Sequence, residues 1–140
     1  MNTALFAKMH GGMTHFPIAL VIASLTFDLA AVVVQDADRQ RDLRAAGFYA
    51  SLLGALGCFG AVLSGLLLTN WDTIGSGNLA RHHLFLWPAF ALIVGLAVWR
   101  LAVRDRASRP AHGAYLVLML VTSGLVAAAG YWGGEMLLAG

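Results

Sequence analysis

Four of the five histidines in the chain fall in two tight groups. His10 and His15 stand in "MHGGMTHFPIAL", and His82 and His83 stand in "ARHHLFL", each group at the mouth of a long apolar run. Imidazole ligates b-type haem from the two faces of the macrocycle, and it also suits copper and zinc. Two apolar segments that open with histidine and run in one direction would place those imidazoles at one depth. On this reading His15 and His83 are the axial ligands of a haem b. His10 and His82 are then substitutes, or ligands of a second haem. The same four residues, His15, His83, His10 and His82, are candidate ligands for a copper or zinc ion at that surface. His112 stands apart and is expected in a loop.

Other residues qualify this picture. Arg81 and Lys8 share the level of the histidines and suit the propionates of a haem. Glu135, in "GYWGGEML", can accept a hydrogen bond from a histidine N–H or stand as a solvated charge. Asp28 lies inside an apolar run, where an ionisable group is costly and is usually paired or functional. A structural pairing with Arg44 or Arg100 competes there with a proton-carrying role. Gly54, Gly57, Gly60, Ser64 and Gly65 give another run a lean face, which leaves room for a macrocycle or for close helix packing. The single cysteine, Cys58, excludes an intrachain disulfide and a Cys-ligated cluster within the chain. The sequence has no phosphate-binding glycine loop, no HExxH and no nucleophile elbow, so soluble-enzyme catalysis has no support.

The elements that must position these groups follow from composition. Of 140 residues, 59% are hydrophobic and only 11% charged, against roughly 25% charged in soluble domains. With a net charge of +2, nucleic acid is not an expected partner; the bilayer is. A crossing helix needs about 20 mostly apolar residues. Four such spans can be drawn, at about 15–34, 47–69, 83–103 and 113–131. They predict a single all-α domain, an integral membrane four-helix bundle. The arginines of the first and third connections, Arg39, Arg41 and Arg44, then Arg100, Arg104, Arg106 and Arg109, predict that those connections are cytoplasmic. Both termini and the histidines then lie on the outer, periplasmic side. Thr14 is expected to cap the first helix, with Pro17 in its first turn and Gly11-Gly12 forming a turn ahead of it. The third helix is expected to start near His82 and to bend at Pro88. No cleavable signal peptide is expected.

These residues together resemble a known family. "THFPIAL" with the later "FDLA", "SGLLLTNWD", "ARHHLFL" and "GYWGGEML" are similar to the blocks of the bacterial membrane proteins called domain of unknown function 2231. The resemblance covers nearly the whole chain, and its first and last blocks are the most specific. It implies a four-helix inner-membrane protein from a family without an established general activity. Some members are linked to Rieske-type iron–sulfur domains, which implies redox work. The family's histidine positions fall on His10, His15 and either His82 or His83, and its acidic ones on Asp28, Asp72 and Glu135. Family members often continue to a further His-Gly pair, which is absent from "MLLAG" here, so a two-haem scheme with four ligands carries over only if the His82–His83 doublet supplies the missing ligand.

The leading expectation is therefore a haem-b electron-transfer protein or redox-complex subunit of the bacterial inner membrane. It would pass electrons between a periplasmic carrier and quinone or a larger membrane complex. The alternatives are a cofactor-free structural subunit and a copper- or zinc-binding membrane protein.

Overall fold

The computed structural model describes residues 3–138, and among them every regular element is helical. Four long helices, α1 (Thr3–Val33), α2 (Ala37–Leu68), α3 (Gly77–Val103) and α4 (Arg109–Leu138), follow one another, with a short 3-10 turn at Arg104–Arg106 between the last two. Each contains a stretch long and apolar enough to cross a membrane. At 1.5 Å per residue even the 27 residues of α3 reach about 40 Å, more than the roughly 30 Å of a hydrocarbon core. The chain is thus an all-helical membrane four-helix bundle.

Polar side chains set the helix ends. Asp36 caps α2 by accepting a hydrogen bond from the Arg39 amide at 2.8 Å. Gln40 reaches back to donate to the Ala31 carbonyl at 2.8 Å, satisfying the exposed end of α1 across the tight connection. Ser108 accepts from the Ala111 amide at 3.4 Å ahead of α4, with Pro110 in the first turn, where its missing N–H costs nothing.

The helices extend well beyond the expected spans. α1 runs back through Gly11-Gly12 to Thr3, so the predicted cap at Thr14 and the glycine turn are corrected. Thr14 donates to the Gly11 carbonyl at 2.9 Å, as a threonine inside a helix does. The apolar stretch ahead of the glycines continues the helix, and Pro17 is accommodated inside it. α3 starts at Gly77, ahead of His82, and Pro88 lies within it. His112 belongs to the first turn of α4 and Glu135 to its last turns, so neither is a loop or tail residue.

Packing is strongest within two hairpins, α1 on α2 and α3 on α4, and lighter between them. The core they enclose is made of small and branched residues, Val21, Leu25, Ala55 and Cys58 against Ala89, Ile93, Met119 and Val126. No more than 33% of any span is buried inside the bundle, and large apolar residues such as Leu56, Leu84 and Val117 face outwards. That exposure fits lipid or neighbouring subunits, not water.

Candidate functional site

The polar groups gather at the two ends of the bundle. At the end where α1 begins and α4 finishes stand the histidines. His10 lies on α1 against α2, its Nδ1 2.9 Å from Ser64 Oγ. Ser64 Oγ also lies 2.8 Å from the Ala61 carbonyl, and donation there leaves its oxygen to accept from a proton on His10 Nδ1. A Cβ at Gly65 would come within 2.9 Å of His10 Cε1, so the bare glycine makes room for the ring. His82 on α3 donates from Nδ1 to the Ala129 carbonyl of α4 at 2.7 Å and lies beside Gly133. His10 and His82 are within electrostatic reach of each other. His83 follows with its ring centroid 5.7 Å from that of His82 and 5.9 Å from Trp87. It is buried, and its Nδ1 has no hydrogen-bond partner.

The sequence-predicted residues are therefore only partly brought together. His10, His82 and His83 share one locality. His15 is exposed on another side of α1, with Nδ1 donating to the Gly11 carbonyl of its own helix. Arg81 stacks its guanidinium over the Trp132 ring at 4.6 Å, bracing α3 on α4. Among the described residues no hydrogen bond joins Glu135 to a histidine. Nor do three or more His, Cys, Asp or Glu side chains form a group that could hold a metal ion. Asp72 lies in the connection beside this end. Its carboxylate accepts from the amides of Gly75 at 2.7 Å and Ile74 at 3.1 Å, and those donors hold it below the usual carboxylate range.

The opposite end carries the arginines and a buried polar knot. Asp28 is fully buried in α1 and forms a two-pronged ion pair with Arg100 of α3, Nη2 to Oδ1 at 2.7 Å and Nη1 to Oδ2. Tyr115 of α4 accepts from Arg100 Nη1 at 2.7 Å and donates to Asp28 Oδ2 at 3.2 Å. The second helix contributes backbone: the Arg44 carbonyl accepts from Arg100 Nη2 at 3.0 Å, and the Gly47 carbonyl accepts from Ser24 Oγ at 2.8 Å. Of the two expected partners, Arg100 pairs with Asp28 through its side chain and Arg44 serves through its carbonyl. Tyr115 and Gly47 were not singled out from the sequence. A tyrosine and a glycine at those depths would have been the only signal.

Between the two hairpins at this end lies an open cleft of about 880 Å³, lined by Arg41, Arg44, Arg104, Arg109 and His112 as well as by Arg100 and Tyr115 of the knot.

A family model described as predicted membrane protein (DUF2231) matches residues 7–139. The chain belongs to this family. The match spans the four helices and both polar ends, in keeping with the resemblance carried by the first and last sequence blocks. The family description goes no further than membrane residence. No match was found among curated proteins or among solved structures.

Proposed function

We propose that the chain is a membrane-embedded redox subunit of the bacterial inner membrane, with haem b held by the histidine end. The observation that carries this reading is the way the imidazoles are anchored. His10, His15 and His82 each have Nδ1 tied to an oxygen acceptor, which leaves the Nε2 lone pair as the free ligand atom. An Nδ1–H bonded to a carbonyl or hydroxyl is the usual support of a metal-bound histidine.

The residues fit the group in a revised assignment. His10 and His82, on α1 and α3 and within electrostatic reach of each other, would hold the iron. His83, beside His82, is buried with an unpartnered Nδ1. His15 points away and is the least suited of the four. Haem b, when bound, supplies one-electron transfer. The protein orients the imidazoles, shields them between helices and keeps Nε2 unprotonated. The arginine end would face the cytoplasm and the histidine end the periplasm. A periplasmic carrier and quinone or a larger membrane complex are then the natural partners.

A visible spectrum of the purified protein tests this. Protein from haem-replete cells should show a Soret band and, after reduction, a sharp α band. His10→Ala and His82→Ala should each lose it, while His15→Ala should keep it. A colourless, folded wild-type protein overturns the reading, and copper or zinc in that sample would favour the metal-ion alternative. A second reading, a cofactor-free structural subunit, is favoured by the low burial of the spans, at most 33%. Stable co-purification with a larger complex by a colourless chain would support it.

A further inference from the structure

The cleft at the arginine end has no part in the redox reading, and its chemistry is specific. We propose that it binds the phosphate headgroup of an acidic phospholipid. Among the described residues none that lines it is acidic. Two of its arginines are already matched, Arg100 by the buried Asp28 and Arg41 by the exposed Asp38 at 3.2 Å. Arg44, Arg104 and Arg109 have no ion pair among the described residues. Three guanidinium groups without an ion pair among the described residues, around about 880 Å³, make a site for an anion, and the planar guanidinium fork suits phosphate.

Two further features point the same way. Arg104 ends α3 with φ 47°, a conformation that favours glycine, yet the residue there is arginine. Non-glycine residues held in such strain concentrate at ligand clamps and other functional sites. The turn lays the Arg104 guanidinium 5.9 Å from the centroid of Phe48, a wall of the cleft. His112 also lines the cleft, and its Nε2 is buried without a hydrogen-bond partner. It can meet a phosphate oxygen as an N–H donor.

The position of the cleft selects a lipid over a free anion. α2 has 32 residues and is about 48 Å long, so it overshoots the hydrocarbon core by about 9 Å at each end. Arg44 lies seven residues into it, about 10 Å from its start, at the boundary where headgroup phosphates sit. Val32 and Tyr49 also line the cleft and are 56% and 63% exposed on the bundle's outer surface. A phosphate can thus reach the arginines while its acyl chains stay in the bilayer. Basic pockets between membrane helices at this level are known to take such headgroups.

The test is lipid retention by the whole protein in nanodiscs and detergent, read by native mass spectrometry. The probes are phosphatidylglycerol, phosphatidylcholine and inorganic phosphate. Phosphatidylglycerol should be retained over phosphatidylcholine, and Arg44→Gln/Arg104→Gln/Arg109→Gln should reduce its retention at least tenfold. The pair Arg39→Gln/Arg106→Gln, at the same end of the bundle but outside the cleft lining, should reduce it far less. Arg104→Gly guards against misfolding, because glycine relieves the strained φ. It should leave thermal stability equal or higher while weakening retention about fivefold. Equal retention of the two lipids, or a triple variant no worse than the control pair, overturns the proposal. So does Arg104→Gly with unchanged retention. Displacement of the lipid by millimolar inorganic phosphate would assign the site to a free anion instead. These outcomes are independent of any colour at the histidine end.

Discussion

The Asp28 carboxylate and the Arg100 guanidinium meet face to face in the bundle interior, with their side chains 0% and 9% exposed. Around this pair all four helices exchange hydrogen bonds, α1 through Asp28 and Ser24, α2 through the Arg44 and Gly47 carbonyls, α3 through Arg100 and α4 through Tyr115. Packing between the two hairpins is light elsewhere. The knot therefore fixes how one hairpin sits on the other. A buried pair of this kind contributes little net stability over an apolar replacement, but breaking it by half leaves a stranded charge.

That asymmetry makes a direct prediction. Asp28→Leu and Arg100→Leu should each lower the unfolding free energy by about 3–5 kcal/mol. The double variant should lose much less than the sum, since no charge is left unmatched. Unfolding of the four proteins in mild detergent measures the coupling. Additive losses would mean that the two side chains do not depend on each other.

Gly47 permits the knot. A Cβ there would lie 2.6 Å from Asp28 Oδ1, an atom that Arg100 holds in place. Gly47→Ala should therefore cost about 1–3 kcal/mol by overpacking. Gly95, equally helical, has nothing within 4 Å of its notional Cβ, and Gly95→Ala should gain about 0.4–1 kcal/mol. The same detergent unfolding experiment compares them. Equal effects at the two positions would remove the special role of Gly47.

The four spans and the pairing of Asp28 with an arginine were legible in the sequence because each rests on a large free energy. Burying 20 apolar residues, or stranding one carboxylate, leaves few alternatives. Helix length was not legible. Gly11-Gly12 and Pro17 read as a boundary, yet each costs only about 1–3 kcal/mol, and a helix with apolar residues on both sides absorbs that. Which histidines share a locality was also hidden. His10 and His15 are five residues apart, so on one helix they point about 140° away from each other. Once α1 is continuous through both, only one of them can face α2 and Ser64.

Asp72 gives a pH signature outside the membrane. Its carboxylate is held below the usual range by the amides of Gly75 and Ile74. A lowered folded pKa stabilises the connection above the ordinary value of about 3.9 and loses that support as pH falls through the lowered one. The amide resonances of Ile74 and Gly75 should titrate together, with a midpoint below 3.9, and Asp72→Asn should abolish the step. A midpoint at or above the ordinary value would show that the carboxylate does not cap this turn.

The last prediction concerns which end faces the cytoplasm. Seven of the nine basic residues lie at or near the two connections of the arginine end, with only Lys8 and Arg81 towards the other. Basic residues resist translocation, so the arginine end should be cytoplasmic. Ser76, between α2 and α3, and Ser108, between α3 and α4, are exposed at opposite ends of the bundle. Each can carry a single cysteine in a Cys58→Ala background. A membrane-impermeant maleimide added to intact cells should label Ser76→Cys at once and Ser108→Cys only after the membrane is opened. The reverse pattern would put the histidines on the cytoplasmic side. A periplasmic electron carrier could then no longer be their partner, and the lipid cleft would belong to the outer leaflet.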